Sequence, residues 1–167
     1  MNIHPIIVHF PIAFLVIWSF CEILPVSRWF KSVNWQPIKN LLVLVGFLGG
    51  WVSQITGEQA EHLVGRSQIV ETHSFFAGAS MFIFGIFAFE FVIIFLKTKF
   101  IDLYSRLGFV SKIIDWCLDL LQNKLFRFIL ALLGLIAIFI TGLLGGVLVY
   151  GPTADPLAPF VLKILGL

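Results

Sequence analysis

Residues 125–150 read LFRFILALLGLIAIFITGLLGGVLVY and stop at Gly151-Pro152. A run this long and this apolar predicts a membrane-crossing helix. Roughly 20 helical residues span about 30 Å of hydrocarbon, and in lipid a helix satisfies its backbone polar groups within its own segment. Three similar runs precede it. One covers about 5–24 and ends before Pro25. The second covers about 38–55 and continues as a polar-tipped helix through Glu58 and His62. The third covers about 73–96. The expected fold is therefore all-α: a four-helix integral membrane bundle in a single domain over residues 1–167, with spans near 5–24, 38–62, 73–96 and 125–150.

Composition agrees. Of 167 residues, 59% are hydrophobic, 12% are charged and 16% are aromatic, and the mean hydropathy is +1.02. A water-soluble domain needs more polar surface than that. The net charge of +2 is small, and the basic residues sit at segment ends, which argues orientation and excludes a nucleic-acid partner. The partner they imply is the lipid bilayer. The start MNIHPIIVHF lacks a basic leader and a small-residue cleavage site follows nowhere nearby, so the first run is expected to be retained as a span.

Lys and Arg set the expected topology. Arg28, Lys31 and Lys39 fall between spans one and two. Lys97, Lys99, Arg106, Lys112, Lys124 and Arg127 fall between spans three and four. Arg66 and Lys163 lie on the other side. The positive-inside rule then places both termini and the 57–72 loop outside, which for a bacterial inner membrane is the periplasm. Cys21 and Cys117 both fall towards the cytoplasmic side, with no CxxC or CxxCH, so neither a disulfide nor covalent haem is expected.

The 99–124 link has a pattern of its own. Leu103, Leu107, Val110, Ile114, Cys117 and Leu121 recur at three- and four-residue steps, with charged residues largely between them. That reads as an amphipathic helix at the cytoplasmic interface, broken at Gly108, with a partner-docking surface as the alternative. Glycine clusters in span two (Gly46, Gly49, Gly50) and span four (Gly134, Gly142, Gly145, Gly146) mark close helix packing or room for a flat cofactor. The tail PLAPFVLKILGL reads as a short segment folded over the outer face.

The chain has four histidines, and this topology gathers them at one face. His4 and His9 open span one, His62 closes span two, His73 opens span three and Tyr150 closes span four. Glu58 shares a helix face with His62, and Arg66 is the basic residue of the loop above. His4 precedes Pro5, where helices begin, which makes it a candidate cap. His9 lies deeper and, five residues on, points about 140° away, so it is the preferred ligand.

Two cofactors suit these residues. Bis-histidine haem b needs imidazoles from two helices. His9, His62 and His73 supply them, with His9–His73 the favoured pair, Arg66 available for a propionate and Tyr150 beside the site. A single Cu, Fe or Zn ion would instead draw on His9, His73, His62, Glu58 and His4. The structural alternative is that these residues solvate helix ends. Glu22 and Glu90 lie near the cytoplasmic ends of their spans, where a proton-relay or quinone-protonating role competes with snorkelling or protonation at the interface. No hydrolytic triad, Walker loop or HExxH is present, so electron transfer or binding is favoured over enzymatic catalysis. The expected partners are a periplasmic or membrane redox protein or a larger respiratory complex, in which the chain could also be a non-catalytic accessory subunit.

HPIIVHFPIAFL, TGEQAEHLVG, ETHSFF and TGLLGGVLVYG, in that order, resemble a bacterial membrane family known as domain of unknown function 2231. The resemblance implies a small four-helix membrane domain. Relatives joined to Rieske-type or cytochrome c domains imply membrane redox chemistry with haem. The last span departs from the family pattern. Where members often read TGHLGG and YxHG, this chain has Leu143 and Gly151-Pro152, so span four offers no histidine.

Overall fold

A computed structural model describes residues 4–153 and 155–167, with side chains for all of these except Leu63 and Val64. The chain is helical throughout its ordered elements: α1 (His4–Ile23), α2 (Val26–Trp29), α3 (Trp35–Val64), α4 (Gln68–Lys99), α5 (Ile101–Ser105), α6 (Phe109–Gln122), α7 (Lys124–Tyr150) and α8 (Ala158–Leu165). α1, α3, α4 and α7 are each long and apolar enough to cross a membrane. α3 and α4, at 30 and 32 residues, reach about 45 Å, so their tips project beyond the hydrocarbon.

Local chemistry sets the ends. The Asn34 side chain accepts from the Gln36 N–H at the start of α3. Ser67 accepts from the Val70 N–H at the start of α4. Asn123 Oδ1 accepts from Leu125 and Phe126 at the start of α7. Each satisfies donors that a helix start leaves orphaned. α3 and α7 end at Gly65 and Gly151, whose φ values of 82° and 85° need a residue without a Cβ.

The four long helices form a ring in which α1 packs on α3 and α7, and α4 packs on α7 and α3; the α3–α4 seam is the loosest. The core is one cluster of Leu15, Trp18, Val43, Phe84, Phe87 and Ile138, with Ala131 between them. Trp18 meets the Phe84 ring edge-on at 5.7 Å and 84°. Small residues allow this closeness: a Cβ on Gly134 would sit 3.1 Å from Ile83 and 3.2 Å from Phe84. A second cluster lies at the end that carries both termini. There Ala158 and Leu162 of α8 pack on Leu143, Leu144 and Val147 of α7. The C-terminal segment thus folds back as a helix against the bundle, as its composition implies.

The link between α4 and α7 is helical on both sides of Gly108, whose φ is 56°. α6 is amphipathic. Its Leu118 is buried, while Phe109 and Trp116 stay exposed, as a helix lying on a bilayer surface requires. Three polar groups tie it to the end of α4. Lys97 donates to Asp115, Tyr104 donates to the same oxygen at 2.7 Å, and the Lys97 ammonium lies 5.1 Å from the centre of the Tyr104 ring.

The hydrogen bond from Lys97, then that from Tyr104, holds the Asp115 carboxyl below the usual aspartate range. Its folded pKa is depressed, so its contribution is present above the ordinary value of about 4 and is lost as pH falls through the depressed one. Desolvation, then the bond to Asp115, pushes the Tyr104 hydroxyl up to about 12. The neutral phenol is the form that fits, and that support disappears only as pH rises through that value. Acidification is therefore expected to release α6 before the spanning helices unfold, seen as faster proteolysis within 99–124 in detergent. Asp115→Asn should flatten this acid dependence, and an unchanged profile would remove the trio as its cause.

Candidate functional site

The structure divides the histidines differently from the sequence reading. His4 is half-buried in the first turn of α1 and its Nδ1 lies 3.0 Å from Thr56 Oγ1 on α3. Thr56 donates its own hydrogen to the Val52 or Ser53 carbonyl, so it accepts from the His4 Nδ1–H. The ring also interacts with the Ser53 backbone. It rests against Gly57, where a Cβ would approach Cε1 to 3.1 Å.

His73 lies in the second turn of α4. Its Nδ1–H donates to the Thr141 carbonyl of α7 at 3.0 Å. Its Cε1 sits 3.3 Å from where Gly145 would carry a Cβ. The His4 ring lies close enough to His73 for its charge to act there. Two imidazoles from different helices thus face the bundle. Each is held at Nδ1 by a neighbouring helix, and His73, whose Nδ1–H donates to a carbonyl, carries its lone pair on Nε2 as the neutral ring.

The remaining candidates point outward. His9 is exposed, and its Nδ1–H donates to the Pro5 carbonyl of its own helix. The spacing argument correctly sends His4 and His9 to different sides, but the inward one is His4. Packing decides this, because Thr56 and Gly57 offer a hydroxyl and a gap where His4 arrives. Glu58 and His62 are exposed on the tip of α3, and Tyr150 is exposed at the end of α7. Arg66 lies 3.9 Å from Glu61 with its side chain 84% exposed, a surface pair of little energetic weight. Among the described residues no three His, Cys, Asp or Glu side chains converge as a metal site. Leu143, at the position where the resemblance implies a histidine, is buried against α8.

A second polar constellation lies at the opposite end. Arg127 of α7 donates from Nε and Nη2 to Glu22 of α1 at 3.1 and 3.0 Å. Its Nη1 donates to both oxygens of Glu90 on α4 at 2.9 and 2.8 Å. Lys39 of α3 reaches Glu22 at 3.3 Å, and the Phe87 ring lies 5.0 Å from the guanidinium carbon. One residue from each spanning helix enters, and the two acids match the two bases in charge. The Glu22 and Glu90 side chains are each 7% exposed, so neither snorkels to the interface. Their carboxylates are instead met by a planar guanidinium fork. Sequence reasoning placed Arg127 with the topology charges and left the acids unpaired. The available signal was that acids and bases fall at one depth near the ends of their spans, where opposite charges in lipid find each other.

A family model described as a predicted membrane protein (DUF2231) matches residues 1–153. Neither curated proteins nor solved structures give a match.

Proposed function

The chain belongs to this DUF2231 family of predicted membrane proteins, and from that premise we propose that it is a membrane redox carrier that binds haem b through His4 and His73. One observation carries the reading: inward imidazoles on α1 and α4, each oriented at Nδ1 by an adjacent helix. His4 and His73 would hold the haem iron through imidazole nitrogen, and a hydrogen bond at the other ring nitrogen orients such a ligand and raises its basicity. Bound there, the haem would supply one-electron transfer. Thr56 and the Thr141 carbonyl fix ring orientation, and Gly57 and Gly145 give the rings space to sit between helices. Zinc sites take three or four protein donors, and among the described residues no such group converges, so two imidazoles favour haem over zinc. The distribution of basic residues supports placing the histidine end on the periplasmic side of a bacterial inner membrane, where a periplasmic or membrane redox protein is the partner.

Protein purified after haem-supplemented expression is expected to show a Soret band, and an α band on dithionite reduction. His4→Ala and His73→Ala should each abolish both bands, and His9→Ala should keep them. Thr56→Val, which removes an anchor rather than a ligand, should weaken haem binding on the order of tenfold. A colourless wild-type preparation overturns the proposal. Loss of haem from His9→Ala with retention in His4→Ala overturns the ligand assignment.

A further inference from the structure

A groove of about 580 Å³ runs between α3 and α4 and is closed at the basic end by α6. We propose that it is a binding site for an isoprenoid quinone, with the head group at Gln54 and the tail along α4 towards α6. Its walls are almost wholly apolar, with Phe47, Trp51, Phe82 and Phe89 among them. Trp51, Phe82 and Phe89 are also exposed at the bundle surface, so the groove opens sideways, the route by which a molecule dissolved in lipid arrives. From Gly78 to Ile93 along α4 it extends ~22 Å, room for several isoprene units.

The two polar residues of the lining select the head group. Gln54 is an uncharged amide that hydrogen-bonds a carbonyl but offers no charge for a phosphate. Glu90 is anionic and already engaged by Arg127, so it opposes a phosphate and leaves the Gln54 end for the head. A phospholipid would put a charged group where the groove has no cation, whereas a quinone is neutral and carries carbonyl acceptors. Gln54 lies two residues before Thr56, and Gly78 five residues after His73, so the head would sit at a depth similar to that of the histidine pair but on a different face of α3 and α4. The choice of a redox-active head rests in part on the redox reading above; the groove itself does not.

The test uses quenching of Trp51 fluorescence by a decyl-substituted benzoquinone, in detergent-solubilised full-length protein with and without haem. Saturable quenching is expected in both, absent from Trp51→Phe. Nothing lies within 4 Å of a Cβ built on Gly78, so Gly78→Phe can fill the groove without disturbing the helix. It should weaken binding tenfold or more, and Gln54→Leu should do so to a similar extent. Quenching that rises linearly without saturation, or that Gly78→Phe leaves unchanged, overturns the proposal, as does equal competition by decanol or phosphatidylcholine. Quinone binding in a protein that never takes up haem upholds the groove and sinks the haem reading. Haem binding with no quinone binding sinks the groove alone.

Discussion

Arg127→Met is expected to destabilise the folded chain by about 3–5 kcal/mol, because it leaves buried carboxylates without their counter-ion. Glu90 suffers most. Both its oxygens are bonded by Arg127, its side chain is 7% exposed, and Arg127 is its ion-pair partner among the described residues. Glu22 keeps Lys39 at 3.3 Å. The cost is one of desolvation rather than of lost attraction, and this gives the prediction its shape. Adding Glu90→Gln and Glu22→Gln to Arg127→Met should recover most of the loss, since the uncompensated charges go with the guanidinium. Arg127→Lys should fall between, because an ammonium cannot present four directed donors to two carboxylates in a plane. Unfolding curves in SDS-containing mixed micelles measure all three. Loss within 1 kcal/mol for Arg127→Met, or no recovery in the triple variant, would show that the network is peripheral to stability.

Gly46→Val should cost about 1–3 kcal/mol through overpacking. A Cβ on Gly46 would meet Leu15 Cδ2 at 2.6 Å and Cγ at 2.7 Å, with Phe14 Cβ at 3.2 Å. The Leu15 branch point cannot swing aside as a chain tip could, for Leu15 is 1% exposed and packed into the central cluster. The seam between α1 and α3 would have to open, and the contacts that define bundle packing in lipid are lost with separation. Gly146→Ala is the matched control. Nothing lies within 4 Å of its Cβ position, so it should be neutral or gain up to about 1 kcal/mol of helix propensity. The same unfolding assay separates the two, and equal effects would mean that close approach at Gly46 does not govern the seam.

The architecture was legible because it depends on length and hydropathy, which one sequence displays. The four spans, the amphipathic α6 and the break at Gly108 follow from periodicity and from a single glycine. Side-chain partners were less legible. Periodicity tells that His4 and His9 lie on different sides of α1, but which side meets the bundle depends on Thr56 and Gly57, more than forty residues away. The Glu22–Arg127–Glu90 network has the same origin: its members are up to 105 residues apart, and each alone resembles a charge at a span end. Rotation of each helix about its axis, set by packing against three others, is the information that a single chain read in order does not carry.

The charge balance at that end has an electrical consequence. Moving one elementary charge through the membrane potential does about 2.3 kcal/mol of work per 100 mV. As ions, Glu22, Glu90, Arg127 and Lys39 sum to zero, so these four together add no net gating charge to a movement of the bundle. Removing one carboxylate leaves a net positive charge on the same helices. Such a variant would couple a movement of these helices to the membrane potential more strongly than the paired network does.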